Sequence, residues 1–405
     1  NEGFSRRLSP TELVPREGIP QWFLPLHSVT DPNKPGKVRV TFDAKATVKG
    51  TSLNDHLLTG PDLANSLLGV LLRFRKERIT IQGDIKGMFN AVKVNPEDSL
   101  AFCFYFWEDC DLSKPLIAHC MGMQVFGAAS SSGTAHFALK QTAKDNKEHF
   151  SPECVKTLER DFYVDDLLKS VSRSQEAVIL LKELCTVLEK GGFYLHKIIT
   201  NCPYVRAVAS SMERVKKDTS DGTNSTIERA LGVKWDADED CFIFMLAHLK
   251  DGKPPTTRRE CLSLIASVFD PMGFISPYLL RPKKALQNLC HLVLGWDEVV
   301  PEKDLAIIWK WQETLDRIHH IRISRWLKNE ELAFTYNTQL HHFLDASEDG
   351  YGCVSYIRYE DEEGNVCVSF LMGKSRITPL KHVTIPRLEL QAAVLSIEND
   401  MFLKE

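Results

Sequence analysis

Short apolar stretches along the chain alternate with polar residues or are rich in aromatic and β-branched residues, and they predict strands. They are KVRVTFDA, RITIQGD, AFCFYFWE, PLIAHCMGMQVFG, RALGVKW, CFIFML, LHHFLDASEDGYGCVSYIRYE and VCVSFLMGK. Apolar residues at helical spacing predict helices in TGPDLANSLLGVLLRFRKE, with Pro61 and Asp62 near its start, in SSGTAHFALKQTAKDN and in IPRLELQAAVLSIEND. SRSQEAVILLKELCTVLEKGGF predicts another helix, which Gly191 ends. The stretch from TTRRECLSLIASVFDP to LDRIHH is mostly helical in pattern.

The pattern also divides the chain. Residues 1–36 are proline-rich and irregular, which predicts an extended arm. A new strand pattern begins near residue 335, so we place a domain boundary there. The basic stretches RFRKER, RVKK and RPKK are each interpreted as solubilising surface.

Composition narrows the class of protein. The 405 residues are 43% hydrophobic and 26% charged, which is typical of a soluble globular protein. No apolar run approaches the ~18 residues that span a membrane. Eleven cysteines without a Cys-x-x-Cys pair argue against a disulfide framework or a zinc ribbon and favour a reducing compartment. The first residue is Asn1 and no signal peptide follows, which indicates a processed product or a fragment.

The net charge of −4 argues against a protein that simply coats nucleic acid, whose surface is usually basic. It does not exclude a polymerase, which needs acidic residues at its centre and basic residues along a channel.

The stretch FYVDDLLKS places two adjacent carboxylates, Asp165 and Asp166, between apolar runs. It is either a solvated turn or a hairpin whose like charges a divalent cation relieves. Two other features accompany it: a strand that ends on Asp84, and a small-residue loop leading into a helix at FGAASSSGTAHFAL. Nucleotidyl transfer by two Mg²⁺ ions needs carboxylates presented on rigid elements in this way.

The ordered set GDIKGMF, FGAASSSGTAHFAL, YVDD, GGFYLHK and LGVKW resembles the palm motifs of BEL/Pao-type long-terminal-repeat retrotransposon Pol polyproteins. VRVTFDAKATVKGTSLNDHLLTGP resembles the fingers segment of this family, and LSLIASVFDPMGFISPYLLRPK resembles its thumb-side signature. The resemblance implies an α+β fold with a right-hand polymerase, a helical connection and a partial ribonuclease H-like α/β domain. Its segments are the arm (1–36), fingers and palm (37–240), thumb and connection (241–334) and a truncated ribonuclease H-like domain (335–405).

The resemblance also implies roles for single residues. Asp84 and Asp165 match the metal-bridging carboxylates, Asp166 matches the third acid, and Lys197 matches a lysine that protonates pyrophosphate. Four residues match the deoxynucleoside triphosphate site of the family. Arg39 matches the arginine that binds the triphosphate, and Phe89 matches the aromatic residue that rejects a ribose 2′-hydroxyl. Phe126 and Gly127 match the loop that packs against the nascent base pair. Ser132 stands where the family tends to have proline, which leaves the rigidity of that loop open.

In the ribonuclease H-like part, Asp345 of FLDAS and Glu389 of RLELQAAV match two metal ligands. The resemblance implies further acids beyond Glu405, because Asp400 lies one helix too early. We therefore expect no cleavage of hybrid RNA by this chain.

The expected activity is that of an RNA-directed DNA polymerase that uses two Mg²⁺ ions, with Mn²⁺ as a substitute. Its partners would be a primed RNA or DNA template and deoxynucleoside triphosphates, without a membrane. Family resemblance and reduced cysteines predict cytoplasmic retroelement particles or the nucleus. The alternative is a non-catalytic remnant that binds nucleic acid or a protein partner. An aspartic protease is not expected, because Asp218-Thr219-Ser220 in a polar loop is the nearest string to the Asp-Thr/Ser-Gly triad.

Overall fold

The computed structural model describes residues 3–30, 38–215, 227–230, 232–246, 249, 252–329, 332 and 336–404. The side chain of Arg39, the Asp218-Thr219-Ser220 string and the predicted boundary near residue 335 lie outside the described part. No helix among the described residues is long and apolar enough to cross a membrane.

Helices and strands alternate along the described chain. The α-helices are α1 (Leu67–Phe74), α2 (Ser131–Asp145), α3 (Pro152–Arg160), α4 (Ser174–Lys190), α5 (Pro203–Val215), α6 (Arg258–Ala266), α7 (Ser276–Leu289), α8 (Glu302–Gln312) and α9 (Ile385–Lys404). Short 3₁₀ helices cover Leu53–Asp55, Met88–Ala91, Asp98–Phe102, Glu108–Cys110 and Leu315–His320.

The strands form several small sheets. The strands are β1 (Ser5–Arg7), β2 (Leu26–Thr30), β3 (Val38–Phe42), β4 (Ile79–Ile85), β5 (Cys103–Trp107), β6 (Leu116–Met121), β7 (Phe162–Tyr163), β8 (Asp166–Val171), β9 (Leu195–Ile199), β10 (Ile227–Ala230), β11 (Val233–Asp236), β12 (Cys241–Ile243), β13 (Arg322–Ser324), β14 (Asn337–Ala346), β15 (Gly350–Glu360) and β16 (Val366–Ile377). Their orders are β1-β6-β5, β2-β3, β7-β8-β4-β9, β10-β11-β12-β13 and β14-β15-β16.

Two sequence predictions differ from the structure. Helix α1 begins at Leu67 rather than near Pro61, because the Ser66 side chain accepts a hydrogen bond from the Gly69 N–H and caps the helix there. The first 36 residues are not simply irregular: β1 and β2 lie within them, paired antiparallel with β6 and β3.

The chain divides into two compact units. The first comprises Asn1–Asn65, Gly83–Leu167 and Val178–Ile198, and the second comprises Ser66–Gln82, Leu168–Ala177 and Ile199–Glu405. The core of the first unit includes Leu24, Phe42, Phe102, Phe104, Met121 and Val125. In the second unit, the buried faces of α6, α7 and α8 form one core.

Arg325 is a buried cation in the second unit, with no exposed side-chain surface. Its Nε and Nη2 donate to the two carboxylate oxygens of Asp240 at 2.6 and 2.7 Å. Its Nη1 and Nη2 also donate to the carbonyl oxygens of Phe74, Glu77 and Arg78 at 2.6–2.8 Å. Arg325 directly follows β13, and its guanidinium thus ties this position to the end of α1 and to the turn before β12.

Arg75, from the RFRKER stretch, is also buried, which contradicts its interpretation as solubilising surface. Its guanidinium donates to the carbonyl oxygens of Phe370 and Leu371 at 2.7 and 3.2 Å and of Arg325 at 3.1 Å. Burial, and then the charge of Arg325, lower the pKa of Arg75 to about 9. The backbone of β16 is therefore held by the cation at the C-terminal cap of α1.

Strands β14, β15 and β16 form an antiparallel sheet against which α9 packs. The helix buries Leu388, Ala392 and Leu395, which recur at helical spacing. This arrangement confirms the strands and the closing helix predicted from the sequence.

Candidate active site

The FYVDDLLKS stretch forms a tight hairpin between β7 and β8. Phe162 pairs with Leu167 and Tyr163 pairs with Asp166, so Val164 and Asp165 make the turn. Val164 has a φ of 56°, in the left-handed region that β-branched residues rarely adopt. Such a conformation costs on the order of 1–3 kcal/mol and is often found at functional sites.

The end of β4 lies between this hairpin and β9. The Ile85 N–H donates to the carbonyl oxygen of Asp165 at 2.9 Å, and the Lys86 N–H donates to that of Tyr194 at 2.9 Å. Asp84 directly precedes these two residues. The structure therefore brings together the three segments that carry Asp84, the Asp165-Asp166 pair and Lys197.

Two side chains of β9, a histidine and a lysine, contact the Asp84 carboxylate. Lys197 Nζ lies 2.8 Å from Asp84 Oδ2, and His196 Nε2 lies 3.3 Å from the same oxygen. Burial acts to raise the pKa of Asp84, but hydrogen bonds from His196 and Lys197 outweigh it, and the pKa lies below its usual range. Sequence reasoning missed His196, whose only signal is its place beside Lys197.

The Asp166 carboxyl has the opposite electrostatic environment. Burial, followed by the charges of Asp165 and Asp84, raises the pKa of Asp166 to about 7, while Lys197 acts against this rise. Asp165 and Asp84 are thus both close enough to Asp166 to perturb its carboxyl. Within the ranges that the structure describes, no three His, Cys, Asp or Glu side chains are arranged as a ready metal site, so the predicted metal role stays a prediction.

Two predicted nucleotide-contacting aromatics touch each other. The rings of Phe89 and Phe126 lie with their centroids 4.7 Å apart at an interplanar angle of 63°, an edge-to-face contact. Phe89 sits in the 3₁₀ helix after Asp84, and the Phe126 side chain is 44% exposed. The pair therefore forms an apolar wall that is partly open to solvent.

Gly127 follows in a conformation that only glycine adopts easily. Its φ is 115°, and a Cβ there would overlap the carbonyl oxygen of Phe42. The backbone approach that the structure shows at Gly127 is to β3 of this chain, and the predicted approach to a nascent base pair stays a prediction. Asn54 fixes the same loop: its Nδ2 donates to the Gly127 carbonyl at 3.1 Å and its Oδ1 accepts from the Ala129 N–H at 2.8 Å. Nothing in the sequence distinguished Asn54 from an ordinary turn residue.

The other predicted residues have simpler surroundings. Arg39 lies opposite Val29 in the antiparallel pair of β2 and β3, and its side chain is outside the described part. Ser132 is the second residue of α2, within the first helical turn, where either serine or proline is tolerated.

The predicted ribonuclease H-like ligands lie on neighbouring elements of the second unit. Asp345, near the end of β14, and Glu389, in the first turns of α9, are both exposed. Asp400 is bonded to Lys404 Nζ at 2.7 Å and to His342 Nε2 at 3.2 Å, so its carboxylate serves α9 and its contact with β14.

Comparisons with known proteins give two kinds of match. Residues 257–405 match the family model for a Pao retrotransposon-like RNaseH-like domain. The solved structure of the foamy viral protease-reverse transcriptase dRH in complex with double-stranded DNA aligns with a TM-score of 0.62 at 15% identity, over 99% of this chain and 58% of that chain. The same viral protein with an RNA/DNA hybrid gives 0.59 at 14% identity, over 95% of this chain and 44% of that one. No curated protein matches the chain.

At this identity, the structural likeness shows the fold alone: a mixed α/β fold similar to that of the foamy viral protein. The chain spans 58% and 44% of the lengths of the two viral chains. Together with the family match, the likeness supports a relationship to retroviral and retrotransposon Pol proteins, with a ribonuclease H-like domain toward residue 405.

Proposed function

We propose that this chain is the polymerase part of an RNA-directed DNA polymerase of the BEL/Pao type, with fingers, palm and thumb preceding the ribonuclease H-like domain. The observation that carries the proposal is the convergence of Asp84, Asp165 and Asp166 at the end of β4 and the β7-β8 hairpin: the Ile85 N–H donates to the Asp165 carbonyl oxygen, and the charges of Asp165 and Asp84 both act on the Asp166 carboxyl. These acids come from segments about 80 residues apart in sequence.

The donor set fits divalent cations. Mg²⁺ prefers carboxylates and substrate phosphates. Burial, followed by the charges of Asp165 and Asp84, raises the pKa of Asp166, and a bound cation would relieve the part that comes from the like charges. Asp84, Asp165 and Asp166 would hold two Mg²⁺ ions, or Mn²⁺ as a substitute. When bound, such ions stabilise charge on the attacking and leaving oxygens of an in-line phosphoryl displacement.

The chain's own residues would bind and orient the nucleotide. Phe89 would lie under the sugar and exclude a ribose 2′-hydroxyl, while Phe126, in edge-to-face contact with it, would pack with Gly127 against the nascent base pair. Arg39 would bind the triphosphate through its planar guanidinium. Lys197, 53% exposed, would hold a proton for the leaving pyrophosphate.

The macromolecular partner in this proposal is a primed template. The viral structures of similar fold are complexes with double-stranded DNA and with an RNA/DNA hybrid, which supports the proposal. Base pairing would supply the sequence information, and contacts to backbone phosphates would make binding weaken as salt rises.

Primer extension on poly(rA)/oligo(dT) with Mg²⁺ or Mn²⁺ tests the function. We expect extension by the wild type, none by Asp165→Asn, and wild-type extension by Asp297→Asn, which makes the same change at an exposed ion pair of the second unit. Phe89→Ala should extend with ribonucleotides that the wild type rejects. A folded wild type that extends nothing would refute the polymerase and favour a non-catalytic remnant.

A further inference from the structure

Two consecutive residues of β9 contact the same carboxylate oxygen. His196 Nε2 and Lys197 Nζ lie 3.3 and 2.8 Å from Asp84 Oδ2. Successive side chains of a regular strand point to opposite faces, so a regular strand could not direct both to one atom. Lys197 has a φ of 51°, in the left-handed region. The backbone of β9 thus departs from strand geometry at the residue where this convergence requires it.

The two contacts differ in how firmly they are held. The His196 side chain is 15% exposed, whereas that of Lys197 is 53% exposed and ends on a flexible four-carbon stem. Lysine carries a full positive charge, and so competes directly with any cation that approaches Asp84. A hydrogen-bond donor that stays in place behind a ligating carboxylate instead orients it for the metal.

We propose that Lys197 is a displaceable counter-ion of Asp84 and that His196 is a positioning residue for the same carboxylate. Without a divalent cation, Lys197 neutralises Asp84. Cation binding displaces the lysine and frees its ammonium toward the nucleotide phosphates, while His196 keeps the carboxylate oriented. This inference rests on the proposed function, because it takes Asp84 as a cation ligand.

The inference predicts opposite effects for two neighbouring substitutions. Lys197→Met should tighten cation binding by at least about fivefold, because an ammonium near 4 Å is worth about 1 kcal/mol even in water. Lys197→Arg, which keeps the charge, should bind like the wild type. His196→Leu should weaken binding by roughly 10-fold or more, as loss of an orienting partner does at metal sites, and His196→Gln should restore much of it by keeping a donor.

Cation affinity can be measured without catalysis. Free Mn²⁺ is titrated by electron paramagnetic resonance in the full chain, without nucleic acid or nucleotide. Lys93→Met, which removes an exposed lysine of the same unit, is the matched control and should leave the affinity unchanged. Circular dichroism melting confirms that each variant is folded.

The outcomes separate the inference from the proposed function. If Lys197→Met binds Mn²⁺ no more tightly than the wild type, or if Lys93→Met tightens binding equally, the counter-ion role is refuted while the cation site stands. If His196→Leu binds like the wild type, the positioning role is refuted. If the folded wild type binds no Mn²⁺ at all, the cation site itself is absent and the two-metal function falls with it.

Discussion

Replacing the buried Arg325 by methionine should be among the most destabilising changes in the second unit. Methionine is also long and unbranched, so the substitution removes the charge and the hydrogen-bond donors with little change in side-chain volume. It leaves the Asp240 carboxylate without the two guanidinium hydrogen bonds at 2.6 and 2.7 Å. Two neutral donors remain to Asp240, from Trp235 Nε1 at 3.0 Å and Asn201 Nδ2 at 3.1 Å.

The magnitude follows from these contacts. Removing one partner of a buried ion pair costs about 3–5 kcal/mol, and solvent screens the remaining Asp240 carboxylate only in part, because its side chain is 23% exposed. The carbonyl oxygens that lose their donors add to the loss, whereas the two neutral donors on Asp240 reduce it. We therefore expect the free energy of unfolding to fall by about 3–5 kcal/mol. Asp240→Asn in the Arg325→Met background should recover part of this, since coupled pairs are non-additive.

Urea unfolding followed by tryptophan fluorescence measures the change, and the chain supplies its own control. Arg259 makes a bidentate pair with Asp297 at 2.6 and 3.0 Å, close to the geometry of the buried pair, but both side chains are mostly exposed. Arg259→Met should leave the unfolding curve nearly unchanged, because solvent screens exposed pairs. Equal effects of the two substitutions would refute the argument from burial.

Three further predictions concern backbone strain and thiol exposure. Gly127→Ala should lower the free energy of unfolding by roughly 1–3 kcal/mol in urea titrations, since its Cβ would overlap the Phe42 carbonyl at a φ of 115°. Val164→Gly should raise the free energy of unfolding by about 1 kcal/mol in the same assay, because glycine relieves the strain at a φ of 56°. The greater conformational entropy of glycine in the unfolded chain offsets part of this gain. Of the described cysteines, Cys110 and Cys290 are exposed and Cys202 and Cys367 are partly exposed, so a thiol reagent should label the first two fastest in the native protein, the next two more slowly, and the buried ones only in denaturant.

Local pattern predicted the elements that present the acids. The alternating stretch with Asp84 near its end became β4, and FYVDDLLKS became a hairpin with Asp165 in the turn and Asp166 at the start of β8. Gly191 follows the last residue of α4 as expected, and there a Cβ would overlap the Thr142 side chain. These features depend on neighbours along the chain, which a single sequence displays.

The features that sequence reasoning missed depend on contacts between residues that lie far apart in the sequence. Asn54 fixes a loop 73 residues away, and the Asp84 carboxylate meets β9 across 113 residues. Arg75 was interpreted as surface because its neighbours are basic, but its partners include the carbonyl of Leu371, 296 residues on. Neither the hydrophobic periodicity nor the local propensity of a segment encodes such pairings. Arg75 was therefore interpreted from the charge of its sequence neighbours alone, and that interpretation was wrong.

The separation of Asp84 from β9 also sets the order in which this chemistry can arise during synthesis. At roughly 5–20 residues per second, a ribosome needs about 6–23 s to proceed from Asp84 to Lys197, 113 residues later. Through that interval the nascent chain carries β4 and then the acidic hairpin without the cation of β9. The acids are therefore made before their counter-charge, and the electrostatics described above cannot form until β9 has been synthesised.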